Sequence, residues 1–164
     1  MQAILWYQIL DSHKRNKMIS ATHLHAMIVH FPIALLLVGF LSDVIGLFSP
    51  KVFFRQAAFY LLILGAAGVA AAFFSGNAAG AGMEEGSLAK AVQLHEQAAL
   101  FTLWLTMAAV LLRVGAEWVK QHNRWIKVAA FILFTLSSIA VARTGYLGGQ
   151  LVFKHAAGVE LTLD

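Results

Sequence analysis

Four long apolar runs constrain this chain more than any other feature. They cover residues 26–48, 53–74, 98–114 and 128–147, and an amphipathic stretch at 88–97 precedes the third. A helix needs about 20 apolar residues to cross the roughly 30 Å hydrocarbon core of a bilayer. Lipid offers no partner to unpaired backbone groups, so such spans must be helical. The sequence therefore predicts an all-α fold, an integral membrane four-helix bundle.

The composition supports a membrane environment and argues against binding to nucleic acid. Hydrophobic residues make up 60% of the 164 positions and charged residues only 12%, whereas soluble domains are about 25% charged. The formal net charge of +4 comes from basic residues in the short loops between the apolar runs. Basic residues in the short loops between spans are typical of multi-pass membrane proteins. The expected partner is thus a lipid bilayer.

The N-terminal region differs from the rest, and it divides the chain into residues 1–21 and a transmembrane domain at 22–164. Residues 1–10 are apolar and aromatic but too few to span a bilayer, and residues 11–17 are polar. The charges follow the apolar part, which is the reverse of a signal peptide. We interpret residues 1–21 as an interfacial segment or a tail. An equal alternative is that the start codon is assigned too far upstream and that Met18 is the true first residue.

Counting helices places most of the histidines on one face of the membrane. The short connections at 49–51 and 115–127 predict antiparallel neighbours. We call the face where the first helix begins side A and the opposite face side B. Side B then receives His122. Side A receives His25, His30, His95 and His155.

The basic residues indicate the orientation, because Lys and Arg in short loops favour the cytoplasm. Side B carries Lys51, Arg55, Arg113, Lys120, Arg124 and Lys127. Side A carries three, Lys90, Arg143 and Lys154, apart from those in the N-terminal segment. If that segment is interfacial or absent, side B is cytoplasmic and the four histidines face the periplasm. Asp43 also lies towards side B, within reach of either Arg113 or the interface.

The histidines are the strongest candidates for chemistry. The chain has seven of them and no cysteine, which excludes thiolate metal sites. Polar residues inside a membrane are costly and usually functional. No Gly-x-Ser-x-Gly, His-Glu-x-x-His or phosphate-loop motif occurs, and no internal duplication of the transporter kind is visible. These absences leave ligation by imidazole as the chemistry that the sequence supports.

His25 and His30 are predicted to serve different sites. Five residues separate them, which turns their side chains about 140° apart on a straight helix. Pro32 favours a helix that begins near Phe31 and leaves His25 in a separate approach segment. His23 is an alternative to His25 as a ligand. Both histidines could instead place their tips among lipid headgroups.

The remaining candidates lie on the third and fourth runs. His95 opens the third predicted helix beside Glu96, as an axial ligand or as a polar helix cap. Gly148 and Gly149 are expected to break the fourth helix, so that the chain folds back and His155 points into the bundle; the alternative is a soluble tail. Arg143 is placed to pair with a haem propionate or to snorkel to headgroups.

Imidazole ligation inside a helix bundle favours b-type haem as the cofactor. Two histidines on facing helices fill both axial positions and keep the iron for electron transfer. We therefore expect an electron carrier or a subunit of a redox complex rather than a stand-alone enzyme. Four allow one or two haems near side A, next to a quinol or a periplasmic cytochrome as redox partner. A homo-oligomer or a larger respiratory complex is compatible with this role. The alternatives are copper or zinc held by three or four imidazoles and a cofactor-free membrane scaffold.

Two motifs resemble the signatures of a known family. Residues 25–35, HAMIVHFPIAL, resemble the opening signature of a bacterial family of four-helix membrane proteins known only as a domain of unknown function. Residues 148–159, GGQLVFKHAAGV, resemble its closing signature, in which glycine usually stands where this chain has Ala156. The resemblance covers residues 22–159. It implies a multi-pass protein of the bacterial inner membrane, suspected to be a b-type cytochrome, with recurring histidines at His25, His30, His95 and His155.

Overall fold

The computed structural model describes residues 20–81, 83, 86–121 and 123–158. Its helices are α1 (Ala21–Phe48), α2 (Val52–Gly80), α3 (Ala89–Trp118) and α4 (Arg124–His155), with a 3-10 turn at Gly86–Leu88 before α3. Each of the four is long and apolar enough to cross a membrane. The described residues form no strand. The predicted all-α four-helix membrane bundle is confirmed, while the segment predicted at 1–21 lies almost wholly outside the described residues.

The helices form a ring in which sequence neighbours are also spatial neighbours. The helix α1 packs against α2 and α4, and α3 packs against the same two helices. Consequently α1 and α3 lie diagonally across the bundle, and both begin on side A. The core between the four helices contains the fully buried side chains of Leu36, Leu62 and Phe134.

Helix α1 runs without a break through Pro32, so the prediction of a helix that begins near Phe31 is wrong. The helix begins at Ala21, where the Ser20 side chain accepts a hydrogen bond from the His23 backbone N–H. Pro32 is buried against Gly68 of α2, where a Cβ would stand 3.2 Å from the proline ring. Membrane helices tolerate proline because neighbouring helices compensate for the missing backbone bond. His25 therefore lies on a continuous helix.

Helix α4 is equally continuous, and the predicted break at Gly148 and Gly149 is wrong. The helix extends to His155 and ends where Ala156 adopts a left-handed conformation at φ 50°. The Ala156 N–H bonds to the carbonyls of Leu151 and Val152, which closes the helix end. Glycine adopts this conformation more readily, and alanine costs about 1 kcal/mol more. The turn nevertheless forms with alanine.

The pattern of burial repeats between the hairpins α1–α2 and α3–α4. The buried residues of α2 are Ala58, Leu62, Gly65, Ala66 and Val69, and the residues 72 positions later are the buried Ala130, Phe134, Ser137, Ser138 and Val141. In α1 and α3 the offset is 70 positions, and it relates buried Pro32, Leu36 and Gly39 to buried Thr102, Thr106 and Ala109. The residue types differ, which explains why the sequence showed no duplication. The hairpins are thus related by an approximate twofold axis along the bundle.

A buried ion pair lies on this axis towards side B. Arg113 of α3 donates a hydrogen bond to Asp43 Oδ1 of α1, and Asp43 is only 5% exposed. The two residues are counterparts at the 70-residue offset. The Arg113 guanidinium also lies 5.6 Å from the centroid of the Phe134 ring. The ion pair thereby connects two helices that are diagonal in the ring.

We expect Arg113→Ala to destabilise the bundle by about 3 kcal/mol, because it leaves the Asp43 carboxylate buried without its partner. The free energy of unfolding is measured in mild detergent with increasing denaturing detergent. Arg124→Ala is the matched control, since Arg124 is exposed at the start of α4 and surface changes stay within about 0.5 kcal/mol. Equal stability of the two variants would contradict the role given to the ion pair.

Candidate functional site

His25 and His95 meet across the side-A end of the bundle. They come from the diagonal helices α1 and α3, and both are partly buried. Their ring centroids are 6.3 Å apart, with an interplanar angle of 78°. The rings are counterparts at the 70-residue offset, so they lie on either side of the twofold axis.

The histidine pair and the ion pair occupy equivalent faces of their helices. His25 precedes Asp43 on α1 by 18 residues, and His95 precedes Arg113 on α3 by the same number. Five helical turns separate such residues, which is about 27 Å along the axis. The two pairs therefore stand near opposite ends of a roughly 30 Å hydrocarbon core.

A hydrogen bond fixes the tautomer of His25. Its Nδ1 lies 3.0 Å from Ser75 Oγ on α2. The Ser75 hydroxyl donates its single hydrogen to the Ala72 carbonyl at 3.1 Å, so its oxygen must accept from His25 Nδ1–H. The lone pair of His25 then lies on Nε2. A histidine held in this way is oriented to bind a metal through its other nitrogen.

Both imidazole rings pack directly on a glycine of the neighbouring helix. A Cβ at Gly76 of α2 would stand 3.0 Å from His25 Cε1, and one at Gly148 of α4 would stand 3.1 Å from His95 Cε1. The two glycines are counterparts at the 72-residue offset. Any side chain at either position would push its ring away, so the glycines set where the imidazoles stand.

A cavity of about 390 Å³ adjoins the two rings. Pockets for small molecules and cofactors typically measure about 300–1,000 Å³ and are mostly apolar. All four helices contribute to this cavity, and most of its lining is apolar, including Pro32, Phe73 and Val141. Among its few polar groups are Thr102 and Thr144, whose hydroxyls lie 2.9 Å apart.

The structure does not bring the other predicted site residues to the pair. His30 is exposed at the cavity rim, and its Nδ1 lies 2.7 Å from the Ala26 carbonyl. His155 and Arg143 are exposed, and neither is among the described residues that line the cavity. His23 is exposed beside Ser20 at the start of α1. His122 lies outside the described residues.

Three site residues escaped the sequence reasoning, because their roles depend on a neighbouring helix. The sequence analysis assigned Gly148 a role only as a helix-breaking residue, and it assigned no role in the site to Ser75 or Gly76. The sequence signal that could have identified Ser75 and Gly76 is a serine directly before a glycine at the side-A end of an apolar run. Which histidine they face could be learned only from the packed bundle.

The described residues contain no cluster of three or more His, Cys, Asp or Glu side chains suited to a metal ion. A copper or zinc site with three or four imidazoles therefore has no donor set among them. The donors that the bundle brings together are two imidazoles.

The fold and the site define an integral membrane four-helix protein with a histidine pair across the bundle. The chain belongs to the family described as "Predicted membrane protein (DUF2231)", whose model matches residues 21–161. This confirms the membrane family of unknown function that the two motifs resemble. No curated protein matches the chain. No solved structure matches it either.

We expect Gly148→Ala to displace the His95 ring by a few tenths of an ångström, because the new Cβ would crowd Cε1. The Cε1–H resonance of His95, followed by NMR in detergent micelles, should shift. Gly149→Ala is the matched control on the same helix, since a Cβ there meets nothing within 4 Å. A resonance that responds equally to both substitutions would contradict the contact between ring and glycine.

Proposed function

We propose that this membrane protein binds one b-type haem between His25 and His95 and acts as an electron-transfer subunit. The observation that carries the proposal is the pair of imidazoles from diagonal helices, whose ring centroids are 6.3 Å apart. The family description assigns no activity, so the proposal rests on the chemistry of the site.

The spacing of the rings suits one metal held between them. An imidazole nitrogen lies about 2 Å from the metal that it binds. Two rings that bind one iron from opposite sides then have centroids about 6 Å apart. The interplanar angle of 78° is compatible with this arrangement, because two bonds from imidazole nitrogens to one metal do not require the ring planes to be parallel.

The number of donors favours haem over a bare metal ion. Structural and catalytic zinc sites use three or four protein ligands, whereas the described residues bring two imidazoles together. Haem carries four equatorial nitrogens of its own and needs from the protein only two axial ligands on opposite sides. A donor set of two imidazoles from facing helices therefore fits haem.

The surroundings also favour one haem rather than two. The apolar cavity beside the pair suits a flat, largely apolar macrocycle. His30 and His155 face no other imidazole among the described residues, since His30 bonds to its own helix and His155 is exposed. A second site of the same kind has no second ligand within the described part of the chain.

With His25 and His95 both bound, the iron would have no open position, and this favours one-electron transfer. We place the haem near side A, where a quinol or a periplasmic cytochrome could exchange electrons with it. We expect a multi-pass protein of the bacterial inner membrane, working alone, as a homo-oligomer or within a larger respiratory complex.

We expect the protein purified in mild detergent to show a Soret band and sharp α and β bands on reduction. His25→Ala and His95→Ala should each abolish these bands, because one axial ligand is lost. The matched controls are His30→Ala and His155→Ala, which remove an imidazole on side A from outside the pair and should keep the full haem content.

Metal analysis of the same samples separates the alternatives. Stoichiometric copper or zinc in a sample that lacks a Soret band would overturn the haem proposal in favour of a metal site. Neither haem nor metal would favour a cofactor-free scaffold. Loss of haem in His30→Ala or His155→Ala, with full haem in His95→Ala, would overturn the assignment of the ligands.

The proposed orientation, with side A in the periplasm, is open to a separate test. The chain has no cysteine, so single substitutions can report on each side. A membrane-impermeant maleimide added to intact cells should label Ala81→Cys on side A but not Gln121→Cys on side B; both positions are exposed. After membrane disruption both should react. The reverse pattern in intact cells would place the histidines in the cytoplasm.

A further inference from the structure

The twofold symmetry of the bundle is broken at the hydrogen bond to the histidine ring. In the first hairpin, Ser75 of α2 bonds to His25 Nδ1. The counterpart of Ser75 at the 72-residue offset is Leu147 of α4, which has no hydroxyl. The two imidazoles therefore occupy equivalent places with unequal support.

The Nδ1 atom of His95 is buried, and no described residue forms a hydrogen bond with it. The Thr144 backbone interacts with this ring without forming a hydrogen bond to Nδ1. Thr144 is the counterpart of Ala72, whose carbonyl accepts from Ser75 in the first hairpin. The second hairpin thus keeps the carbonyl and lacks the hydroxyl that would link it to the ring. Packing on Gly148, rather than a hydrogen bond, orients His95.

This difference bears on how firmly each ring holds a metal. A hydrogen bond to the second nitrogen fixes the orientation of a metal-bound histidine, and its loss typically costs about 10–100-fold in metal affinity. His25 has such a bond and His95 does not. The bond from His95 to a metal between the rings is expected to break first.

We propose that His95 is an exchangeable ligand and that a neutral diatomic molecule, such as carbon monoxide, binds in its place. The proposal rests on the haem proposed above between His25 and His95. In the exchange, the bond from iron to His95 Nε2 breaks and a bond from iron to the diatomic ligand forms. No electron or proton is transferred. The site would then bind small gas ligands in addition to carrying electrons.

The cavity provides room for the exchange. His95 lines it together with Ala99 of α3 and Val141 and Gly149 of α4. A Cβ at Gly149 would meet nothing within 4 Å, so this part of the wall is open. The mostly apolar lining favours a neutral molecule over a charged one, because burial of an unpaired ion is costly. The displaced imidazole can move towards this open part of the wall.

The test uses the reduced, haem-containing protein and carbon monoxide as the probe. The wild-type chain should show a carbon monoxide difference spectrum in the Soret region. Leu147→Ser supplies the missing hydroxyl, which can donate to the Thr144 carbonyl and accept from His95 Nδ1. Carbon monoxide affinity should fall at least about tenfold. Leu147→Ala is the matched control, because it shortens the same side chain without adding a hydroxyl.

The outcomes distinguish this inference from the function on which it rests. Absence of a Soret band overturns the haem proposal and this inference with it. A Soret band that carbon monoxide leaves unchanged overturns only the exchange at His95. Equal carbon monoxide affinity in Leu147→Ser and Leu147→Ala also overturns it.

A second readout needs no haem. Imidazole ¹⁵N shifts of the haem-free chain should show the Nδ1–H tautomer for His25 in the wild type. His95 should adopt that tautomer in Leu147→Ser and not in Leu147→Ala. A His95 ring already fixed as Nδ1–H in the wild type would overturn the proposed difference between the two ligands.

Discussion

The absence of hydrogen-bonding partners in lipid is the constraint on which the rest of this structure depends. It forces every span into a helix and directs polar side chains away from lipid. In this bundle they meet one another on the central axis, as His25 with His95 near side A and as Asp43 with Arg113 near side B. Both pairs connect α1 with α3, which are diagonal in the ring of helices. The polar contacts therefore cross the centre of the bundle, and the apolar contacts between neighbouring helices surround them.

The approximate twofold axis gives the site its geometry, and departures from it give the two halves different chemistry. The glycines under the rings, Gly76 and Gly148, preserve the symmetry. At the other end of the axis, equivalent positions hold opposite charges that neutralise each other. Of the two histidine rings, only that of His25 forms a hydrogen bond with a hydroxyl group, the one of Ser75. A symmetric frame can thus bring two equivalent imidazoles together and still hold them with different strengths.

Two predictions from sequence failed for the same physical reason. Pro32 and the pair Gly148 and Gly149 were expected to interrupt helices, as they do in water, where freed backbone groups find solvent. Within lipid the alternatives to helix leave backbone groups unpaired, which costs more than a proline or a glycine inside a helix. The helices therefore continue through these residues, and His155 ends α4 on the surface instead of returning into the bundle.

By itself the sequence determined the four spans and placed His25, His30, His95 and His155 at the same end of the bundle, because span length and alternating direction are properties of the chain alone. It also placed Asp43 within reach of Arg113. Only the tertiary structure decided that His25 faces His95 while His30 turns outward. Rotation about a continuous helix fixes the angle between two side chains, but which of them points inward depends on the neighbouring helices. Those neighbours supply Ser75 and the two glycines, from positions far along the chain.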